Sequence, residues 1–271
     1  MENFITDANG INVLGKSFKV DYPESGHSDS LSFEEESFWF KHRNEVICEV
    51  LKKFSVKNSF IDIGGGNGLQ ALFIQKNFPA INVALIEPGY SGCATAKKRG
   101  VNHVYNCLFQ DFDFQKFNSE IVGLFDVVEH IENDADFLKQ LASKLSKGNR
   151  IIITVPAYNW LWSDLDDYGS HYRRYNRKMI EDLAKKSGLK INYFSYFFTY
   201  LIPLTYLLRT IPYKLRGGRT KEQILEAENK QHKPSWIISK VFSWLSAGEM
   251  IFIRKSSCKF GASIIVVFEV H

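Results

Sequence analysis

The most constraining feature of this sequence is a run of nine residues, FIDIGGGNG, from Phe60 to Gly68. An apolar stretch is interrupted only by Asp62 and then meets four glycines within five positions. Apolar runs bounded by glycine are typical of buried strands. Glycines directly after a strand allow positive φ angles and let a ligand approach the backbone closely. The run therefore predicts a strand, a ligand-binding turn and a helix, in that order.

Strand and helix patterns alternate along most of the chain beyond this turn. Helices are expected to begin near Gly68, Tyr90, Asn133 and Asn176. Strands separated by helical segments of this length indicate βαβ units in an α/β fold with a mostly parallel sheet and helices on both faces. The seven predicted strands are Ser59–Ile63, Asn82–Glu87, His103–Asn106, Glu120–Phe125, Arg150–Val155, Lys190–Phe197 and Ser263–Val270.

Two regions fall outside this alternation. The first thirty residues are polar and rich in turn formers, which predicts a loose lead-in, and a helix follows, with Ser32 and Glu35 at the spacing of a capping box. The gap before the last strand is too long for a plain loop and predicts a helical insertion, with an amphipathic helix near Trp236–Met250. The expected division is residues 1–57 for the lead-in and first helix, 58–197 with 261–271 for the core, and 198–260 for the insertion.

One apolar segment bears on the relation to membranes. Eighteen uncharged residues, 191–208, separate Lys190 from Arg209, which is a marginal length for a membrane span. The segment contains four tyrosines and Pro203, so a buried strand that runs into an apolar helix is favoured. Contact with a membrane surface is the alternative.

The spacing of the glycines separates two classes of ligand. Dinucleotides are bound by GxGxxG, and the last glycine of that pattern is replaced here by Leu69. The pattern acid-x-G-x-G-x-G is matched at every position by Asp62, Gly64, Gly66 and Gly68. The next strand ends in Glu87, an acid placed to accept hydrogen bonds from both ribose hydroxyls of an adenosine. An oxidoreductase is therefore the weakest interpretation.

This motif resembles the first motif of class I S-adenosylmethionine-dependent methyltransferases, which have a Rossmann-like fold. The resemblance implies S-adenosylmethionine as cofactor. Asp62 would bind its ammonium group, and the turn, with Gly65, would pack against its methionine part. By the same resemblance, the ends of the later strands supply the remaining cofactor contacts. After the second strand these are Glu87 and Pro88, and after the fourth they are Asp126 and Val127. After the third strand they are Phe112 and an acid, either Asp111 or its competitor Asp113.

Residues from Glu36 to Val270 resemble more narrowly the subgroup of ubiquinone-biosynthesis O-methyltransferases and their relatives. The segment SFWFKHR is similar to the helix that covers the cofactor in this subgroup. It implies that Trp39 covers the cofactor and that Arg43 pairs with its carboxylate. The chain departs from the pattern at Lys259, where relatives often have proline.

Methyl transfer to a hydroxyl needs a base, and two histidines are candidates. His171 lies beyond the fifth predicted strand, at the edge where ligands bind, although a histidine that orders its loop fits equally. His130 is the second candidate. Relatives bind a divalent metal through Glu-x-x-Glu-His, which here is Asp126, Glu129 and His130. The shorter Asp126 side chain argues against a metal, and a helix cap or pocket wall is the favoured interpretation.

The region around His171 also bears on the acceptor. Trp160, Trp162, Tyr168 and Tyr172 can form an apolar pocket or belong to the core. Arg173 can face an anionic acceptor or be ion-paired, and the same holds for Arg174. With the apolar, basic insertion, these residues favour O-methylation of a small hydrophobic or lipid-linked acceptor and allow peripheral contact with an anionic membrane.

Two other functions stay open at this point. Methylation of nucleic acid is disfavoured, because the net charge is only +4 and no Asn/Asp-Pro-Pro-aromatic sequence is present. The second open function is that of a regulatory protein, which would bind the cofactor without catalysing methyl transfer. The four cysteines lack metal-ligand spacing, and the N-terminus lacks a signal pattern, so we expect a cytoplasmic protein. Peripheral binding at the inner membrane surface is compatible with this expectation. The protein is expected to be a monomer or a homodimer.

Overall fold

The computed structural model describes residues 4–14, 37–216, 219–220, 222–224 and 236–271. Their centre is one sheet with the strand order β1-β2-β5-β4-β3-β6-β7-β9-β8. The strands are β1 (Ile5–Thr6), β2 (Asn12–Val13), β3 (Ser59–Ile63), β4 (Asn82–Ile86), β5 (His103–Asn106), β6 (Ile121–Phe125), β7 (Arg150–Pro156), β8 (Leu189–Phe197) and β9 (Ser263–Val270).

All seven predicted strands are confirmed to within one residue at each end. The sheet has nine strands because residues 4–14 are not the loose lead-in that the sequence predicts. β1 and β2 form a short antiparallel pair, and β2 continues the sheet beside β5. Each is two residues long, too short to show a hydrophobic period.

Strands β3 to β7 are parallel, whereas β9 lies antiparallel between β7 and β8. From β3 the chain adds β4 and β5 on one side, and it then returns to add β6 and β7 on the other side. The strand order therefore reverses between β3 and β6. Ligands of open α/β sheets bind at such a point, outside the carboxyl ends of the strands.

Helices cover both faces of the sheet, as predicted. The first helix is capped by Ser37, and the predicted capping pair Ser32 and Glu35 lies outside the described residues. The helices of the parallel half are α1 (Phe38–Lys53), α2 (Leu69–Asn77), α3 (Tyr90–Arg99), α4 (Asp134–Ser143), α5 (Asp164–Tyr168) and α6 (Arg177–Ser187).

The alternation of side chains along the strands divides the core into two layers. Ile61 faces the layer that contains Leu138 of α4 and Ile180 of α6. Phe60 faces the opposite layer, with Val46 of α1 and Ile74 of α2. The sheet is therefore buried on both faces, as expected for parallel strands covered by helices.

The insertion between β8 and β9 is helical, as predicted. It contains α7 (Ile202–Thr205), a π-helical turn (Tyr206–Thr210), α8 (Ile211–Arg216) and α9 (Trp236–Lys255). The apolar segment 191–208 divides accordingly into most of β8 and the first turns of the insertion. Among the described residues, no helix combines the length and apolarity needed to cross a bilayer.

A buried ion pair fastens the insertion to α1. His42 of α1 lies 2.7 Å from Glu249 of α9, and both side chains are buried. The Glu249 carboxylate also accepts hydrogen bonds from the backbone amides of Phe198 (2.8 Å) and Thr199 (2.7 Å), where the chain leaves β8. Nearby, Phe38 stacks on Phe242 of α9 with ring centroids 4.4 Å apart. Movement of α9 is therefore coupled to α1.

Candidate functional site

The site is built where β3 and β6 end, at the reversal of strand order. Gly64 follows β3 with a φ of 69° and donates a backbone hydrogen bond to Ile86 (2.8 Å). A Cβ at this position would lie 2.9 Å from Cγ2 of Val127, in the loop after β6. Glycine is therefore required on two grounds, the left-handed backbone and the close approach of the two loops.

The last glycine of the motif positions the helix that follows. Gly68 caps α2 with a φ of 76°, and a Cβ there would lie 2.6 Å from Cβ of Ala96 on α3. A Cβ on Gly65 would lie 2.7 Å from a carboxylate oxygen of Asp62. The turn, completed by Gly66, therefore exposes backbone and leaves the space around Asp62 free of side chains from the turn itself.

Asp62 is a buried acid without a partner. Its side chain lies near the end of β3, the residue is 1% exposed, and neither carboxylate oxygen makes a hydrogen bond of normal geometry. Burial raises the pKa of Asp62 to about 7, against the opposing charge of Arg43. A buried carboxylate in this condition stabilises the protein only if a cation or a hydrogen-bond donor binds it.

Glu87 follows β4 and is held by backbone amides. One of its oxygens accepts a hydrogen bond from Gly66 (3.0 Å) and the other from Gly89 (2.7 Å). Burial raises the pKa of Glu87, and these two hydrogen bonds partly offset that rise. Each carboxylate oxygen can accept a second hydrogen bond. The carbonyl of the neighbouring Pro88 accepts one from Asn106 (2.8 Å), which fixes the path of the chain after Glu87.

Arg43 of α1 reaches the same edge and pairs with Asp126, the residue after β6. Its guanidinium lies 4.6 Å from the ring centroid of Trp39, and Asp126 also accepts a hydrogen bond from Thr154 (3.0 Å). Asp126 has a φ of 56°, an unusual conformation for a non-glycine residue. In the sequence interpretation Arg43 pairs with the cofactor carboxylate, whereas in this structure its partner is Asp126.

Asp111 and Phe112 lie after β5, beyond the turn. Asp111 is exposed, whereas Phe112 is buried against Tyr105, with ring centroids 4.9 Å apart. The competitor Asp113 accepts a hydrogen bond from the Lys116 amide (2.9 Å). All of these residues line a cavity of 1030 Å³ to which neither Asp62 nor Glu87 contributes, so this cavity is separate from the glycine turn.

The two candidate histidines lie together. The rings of His130 and His171 are 4.7 Å apart between centroids, and both are close to Glu129. Their ligand atoms lie within 4.8 Å of one another, so these three residues can hold a metal ion. Asp126, the first position of the sequence motif, is outside this cluster because its carboxylate is engaged by Arg43 and Thr154.

Burial disfavours the charged forms of Glu129 and His130. It raises the pKa of Glu129 well above its usual range, and the charge of Asp126 adds to that rise. Burial, followed by the neighbouring His171, lowers the pKa of His130 to about 4. One oxygen of Glu129 has no hydrogen-bond partner. The donor set of one carboxylate and two imidazoles suits a divalent ion such as Zn²⁺, and the unpartnered oxygen is consistent with that fit.

Asp166 orients His171, and the sequence interpretation did not select it. Nδ1 of His171 lies 2.9 Å from Asp166, which also accepts hydrogen bonds from Arg174 (2.7 and 2.9 Å). Burial acts to raise the pKa of Asp166, but His171 and Arg174 outweigh it and lower that pKa to about 2. The available signal was the capping-box spacing from Ser163 to Asp166, which begins α5.

The loop that carries His171 is joined to the segment after β6. The Tyr172 amide donates to the carbonyl of Glu129 (2.9 Å), and Arg173 pairs with Asp134 (2.8 Å). Arg174 is bound to Asp166. Both arginines are therefore ion-paired within the chain, which is one of the two alternatives that the sequence left open. Around them, Trp160 and Tyr172 are exposed, whereas Trp162 and Tyr168 are half-buried.

Comparison with known proteins identifies the family. A family model described as a methyltransferase domain matches residues 39–193, more than half of the chain. A search of curated proteins gives no match.

Solved structures share the fold at low identity. Phosphoethanolamine N-methyltransferase 2 of Haemonchus contortus, in complex with phosphomonomethylethanolamine and S-adenosylhomocysteine, is 17% identical, with a TM-score of 0.56 over 92% of this chain and 58% of that chain. The chain thus spans less than two thirds of that protein.

Two further structures are matched over nearly their whole length. The plantazolicin methyltransferase BamL is 15% identical, with a TM-score of 0.56 over 92% of this chain and 91% of that chain. The methyltransferase in complex with the Haloferax volcanii Trm112 activator is 11% identical, with a TM-score of 0.55 over 91% and 95%. The fold and the family match agree, and the chain belongs to the methyltransferase domain family.

Proposed function

We propose that this protein transfers a methyl group from S-adenosylmethionine to an oxygen atom of a small hydrophobic or lipid-linked acceptor. The observation that carries the proposal is the unpartnered carboxylate of Asp62 beside a glycine turn at the reversal of strand order. S-adenosylmethionine offers an ammonium group as the missing partner. The relatives with S-adenosylhomocysteine bound support this choice of cofactor.

Each group of the cofactor has a counterpart at the site. Asp62 binds the ammonium by a charge-assisted hydrogen bond. Glu87 accepts the ribose hydroxyls on its remaining lone pairs, and Arg43 exchanges Asp126 for the cofactor carboxylate. Trp39 covers the methionine part. Pro88 bounds the adenine end, and Val127, which lies against Gly64, lines the pocket beside the methyl group. Asp111 and Phe112 receive no role in this arrangement, because both line the separate cavity beyond the turn.

The bound cofactor supplies an electrophilic methyl group on a good leaving group. The protein has to hold the acceptor oxygen in line, exclude water and remove one proton. We assign the last task to His171. Its Nδ1 is hydrogen-bonded to Asp166, so Nε2 is the nitrogen that takes the acceptor proton. His130 stays neutral beside it, because burial holds its pKa at about 4.

A hydrophobic acceptor is supported by the surroundings of His171. The rings of Trp160 and Tyr158 stack at 5.5 Å, and Tyr206 of the insertion packs on Trp160 at 5.7 Å. Leu207 and Leu208 of the same turn are exposed. Because Tyr206 packs on Trp160, we infer that the insertion is a lid that supplies apolar contacts to the acceptor. Arg173 and Arg174 are engaged in ion pairs, which disfavours an acceptor that is recognised by its charge alone.

Titration calorimetry with S-adenosylmethionine and S-adenosylhomocysteine tests the cofactor. The wild type is expected to bind both, and Asp62→Asn is expected to weaken binding about 100-fold through loss of the charge-assisted bond. Asp182→Asn, which changes an exposed acid on α6, is the matched control and should bind like the wild type. A folded wild type that binds neither compound would refute the proposal. Binding without methylation of any compound in a lipid extract would favour the regulatory alternative.

A second experiment separates the base from a metal site. Glu129, His130 and His171 are the residues that would hold a divalent ion. If His171 is the base, His171→Gln slows turnover at saturating cofactor, and treatment of the wild type with a chelator leaves the rate unchanged. If the cluster holds a metal, the chelator abolishes turnover, and metal analysis of the purified protein shows one ion that is absent from Glu129→Gln.

A further inference from the structure

The helix α9 is apolar on two opposite faces. Its inner face contains Met250 and Ile253, which are buried in the core layer with α1. An amphipathic helix on the surface of a protein usually presents polar residues on its other side. The outer face of α9 instead presents Ile238, Val241, Trp244, Ile251 and Phe252, and all five are exposed.

These five side chains form one continuous stripe, the outer stripe of α9. Ile238, Val241 and Trp244 follow one another at intervals of three residues, and Ile251 lies seven residues after Trp244, which places them on one side of the helix, with Phe252 next to Ile251. Trp244, at the middle, is 75% exposed, and Phe252 is 66% exposed. Single exposed apolar residues are ordinary, but a contiguous stripe with an aromatic centre marks a surface that binds a partner.

The charges around the stripe identify the chemistry of that partner. The exposed charged residues of α9 are Lys240, Arg254 and Lys255, and all are positive; Arg254 also lies 3.4 Å from Glu49 of α1. The helix has a single acid, Glu249, which is buried against His42. A second copy of this chain packed on the stripe about a two-fold axis would bring the α9 cations of both copies together, and Glu49, the acid of α1 beside them, is already paired with Arg254. An anionic surface complements the stripe and its cations at once.

We infer that α9 lies flat on an anionic lipid surface through its outer stripe. Trp244 and Phe252 insert between the headgroups, and the exposed cations of α9 lie at the level of the acidic phosphates. This is the arrangement of interfacial helices, which lie in the plane of the membrane without crossing it. The inference does not depend on the cofactor, because no residue of the outer stripe belongs to the candidate site.

Co-sedimentation with vesicles tests this inference on the full chain. The protein is expected to bind vesicles of equal parts phosphatidylglycerol and phosphatidylcholine, to bind phosphatidylcholine alone at least about tenfold more weakly, and to be released by salt. Trp244→Ser combined with Phe252→Ser should weaken binding about tenfold or more. The control pair Ile5→Ser and Leu108→Ser removes exposed apolar side chains elsewhere and should leave binding unchanged.

A second pair of variants tests the charges. Lys240→Gln combined with Lys255→Gln should weaken binding to the anionic vesicles by about tenfold. Lys98→Gln combined with Lys139→Gln removes the same charge from α3 and α4 and should have no such effect. If both pairs weaken binding equally, net charge rather than α9 attracts the protein to the surface, and the inference is wrong.

Fluorescence locates the contact. The emission of the wild type should shift to the blue when anionic vesicles are added, and Trp244→Phe should lose most of that shift while still sedimenting with the vesicles. If the protein sediments with neither the anionic nor the phosphatidylcholine vesicles, the inference is wrong. It is also wrong if sedimentation equilibrium shows a dimer that the Trp244→Ser and Phe252→Ser variant dissociates in the absence of lipid, because the stripe would then bind a second copy.

Discussion

Two aspartates at the ligand edge of this protein are equally buried and have opposite properties. Asp62, near the end of β3, makes no hydrogen bond of normal geometry, and burial raises its pKa to about 7 in spite of the charge of Arg43 and the Ala71 amide. Asp166, in α5, is bound by His171, Arg174 and the Ser163 amide. These contacts outweigh its burial and lower the pKa of Asp166 to about 2.

The difference separates a binding position from a supporting one. The carboxylate of Asp166 already has its counter-ion, Arg174, within the chain. This interaction stabilises the loop and orients His171. The carboxylate of Asp62 is desolvated and unsatisfied, so its favourable interactions are still to be made. Burial alone does not distinguish the two residues, but their hydrogen-bond partners do.

The largest effect on stability is expected when Asp166, the aspartate with partners, is removed. Asp166→Ala leaves Arg174 buried without a counter-ion and should lower the free energy of unfolding by about 3–5 kcal/mol. Urea denaturation at neutral pH measures this change. Asp182→Ala, which removes an exposed acid from α6, should change the free energy of unfolding by less than about 0.5 kcal/mol. A loss for Asp166→Ala no larger than that control would mean that the loop is held by its other contacts.

The unsatisfied aspartate should respond with the opposite sign. Asp62→Asn removes a buried charge that the folded chain does not compensate, so at pH 8 the free energy of unfolding should rise by about 1–3 kcal/mol. The raised pKa means that the folded state favours the protonated acid, so the gain should disappear below about pH 4. Urea denaturation across this range gives the curve. Destabilisation at pH 8 would show that Asp62 has a partner in the free protein.

Cofactor binding should release a proton from Asp62. At pH 6 an acid with a pKa of about 7 is mostly protonated, and an ammonium partner requires the carboxylate. Binding at pH 6 should therefore release about 0.9 more protons for the wild type than for Asp62→Asn, and this difference should vanish above about pH 9. Calorimetry in buffers of different ionisation enthalpy measures the release. An equal release from both proteins would assign it to other acids.

The ion pair between α1 and α9 should give the smallest effect. The hydrogen bonds that Glu249 accepts lower its pKa against the effect of burial, so its contribution is present above the unfolded pKa and is lost as the pH falls through the folded one. Glu249→Gln should cost about 1–2 kcal/mol at pH 7, and this cost should disappear as the pH falls through the lowered pKa of Glu249. Thermal unfolding of this variant beside Glu45→Gln, an exposed change on α1, provides the measurement.

The features that the sequence predicted correctly are those determined by neighbouring residues along the chain. The strands β3 to β9 and the glycine turn follow from hydrophobic runs and from backbone conformations that few residues accept. Asp62 could be selected because its spacing to the glycines is fixed. The two-residue strands β1 and β2 could not be found, since so short a segment has no period and is ordered only by its neighbours.

Side-chain pairing was less accessible for a physical reason. Arg43 and Asp126 are far apart in sequence, and their contact depends on how α1 crosses the end of β6. His171 was selected by residue type, but its partner Asp166 lies in an acidic stretch that is typical of a solvated loop. Only the path of the chain from α5 back toward the sheet makes that carboxylate the orienting group.

The position of β9 has a consequence for how the molecule is made. β9 is the last of the described strands along the chain, yet it lies between β7 and β8. A nascent chain on the ribosome that has just produced β8 cannot pair it with β7, because that place belongs to a strand encoded beyond the whole insertion. Two strand edges therefore stay open while the insertion is synthesised, and open edges invite wrong pairing. Chaperone demand during translation should be greatest in this interval.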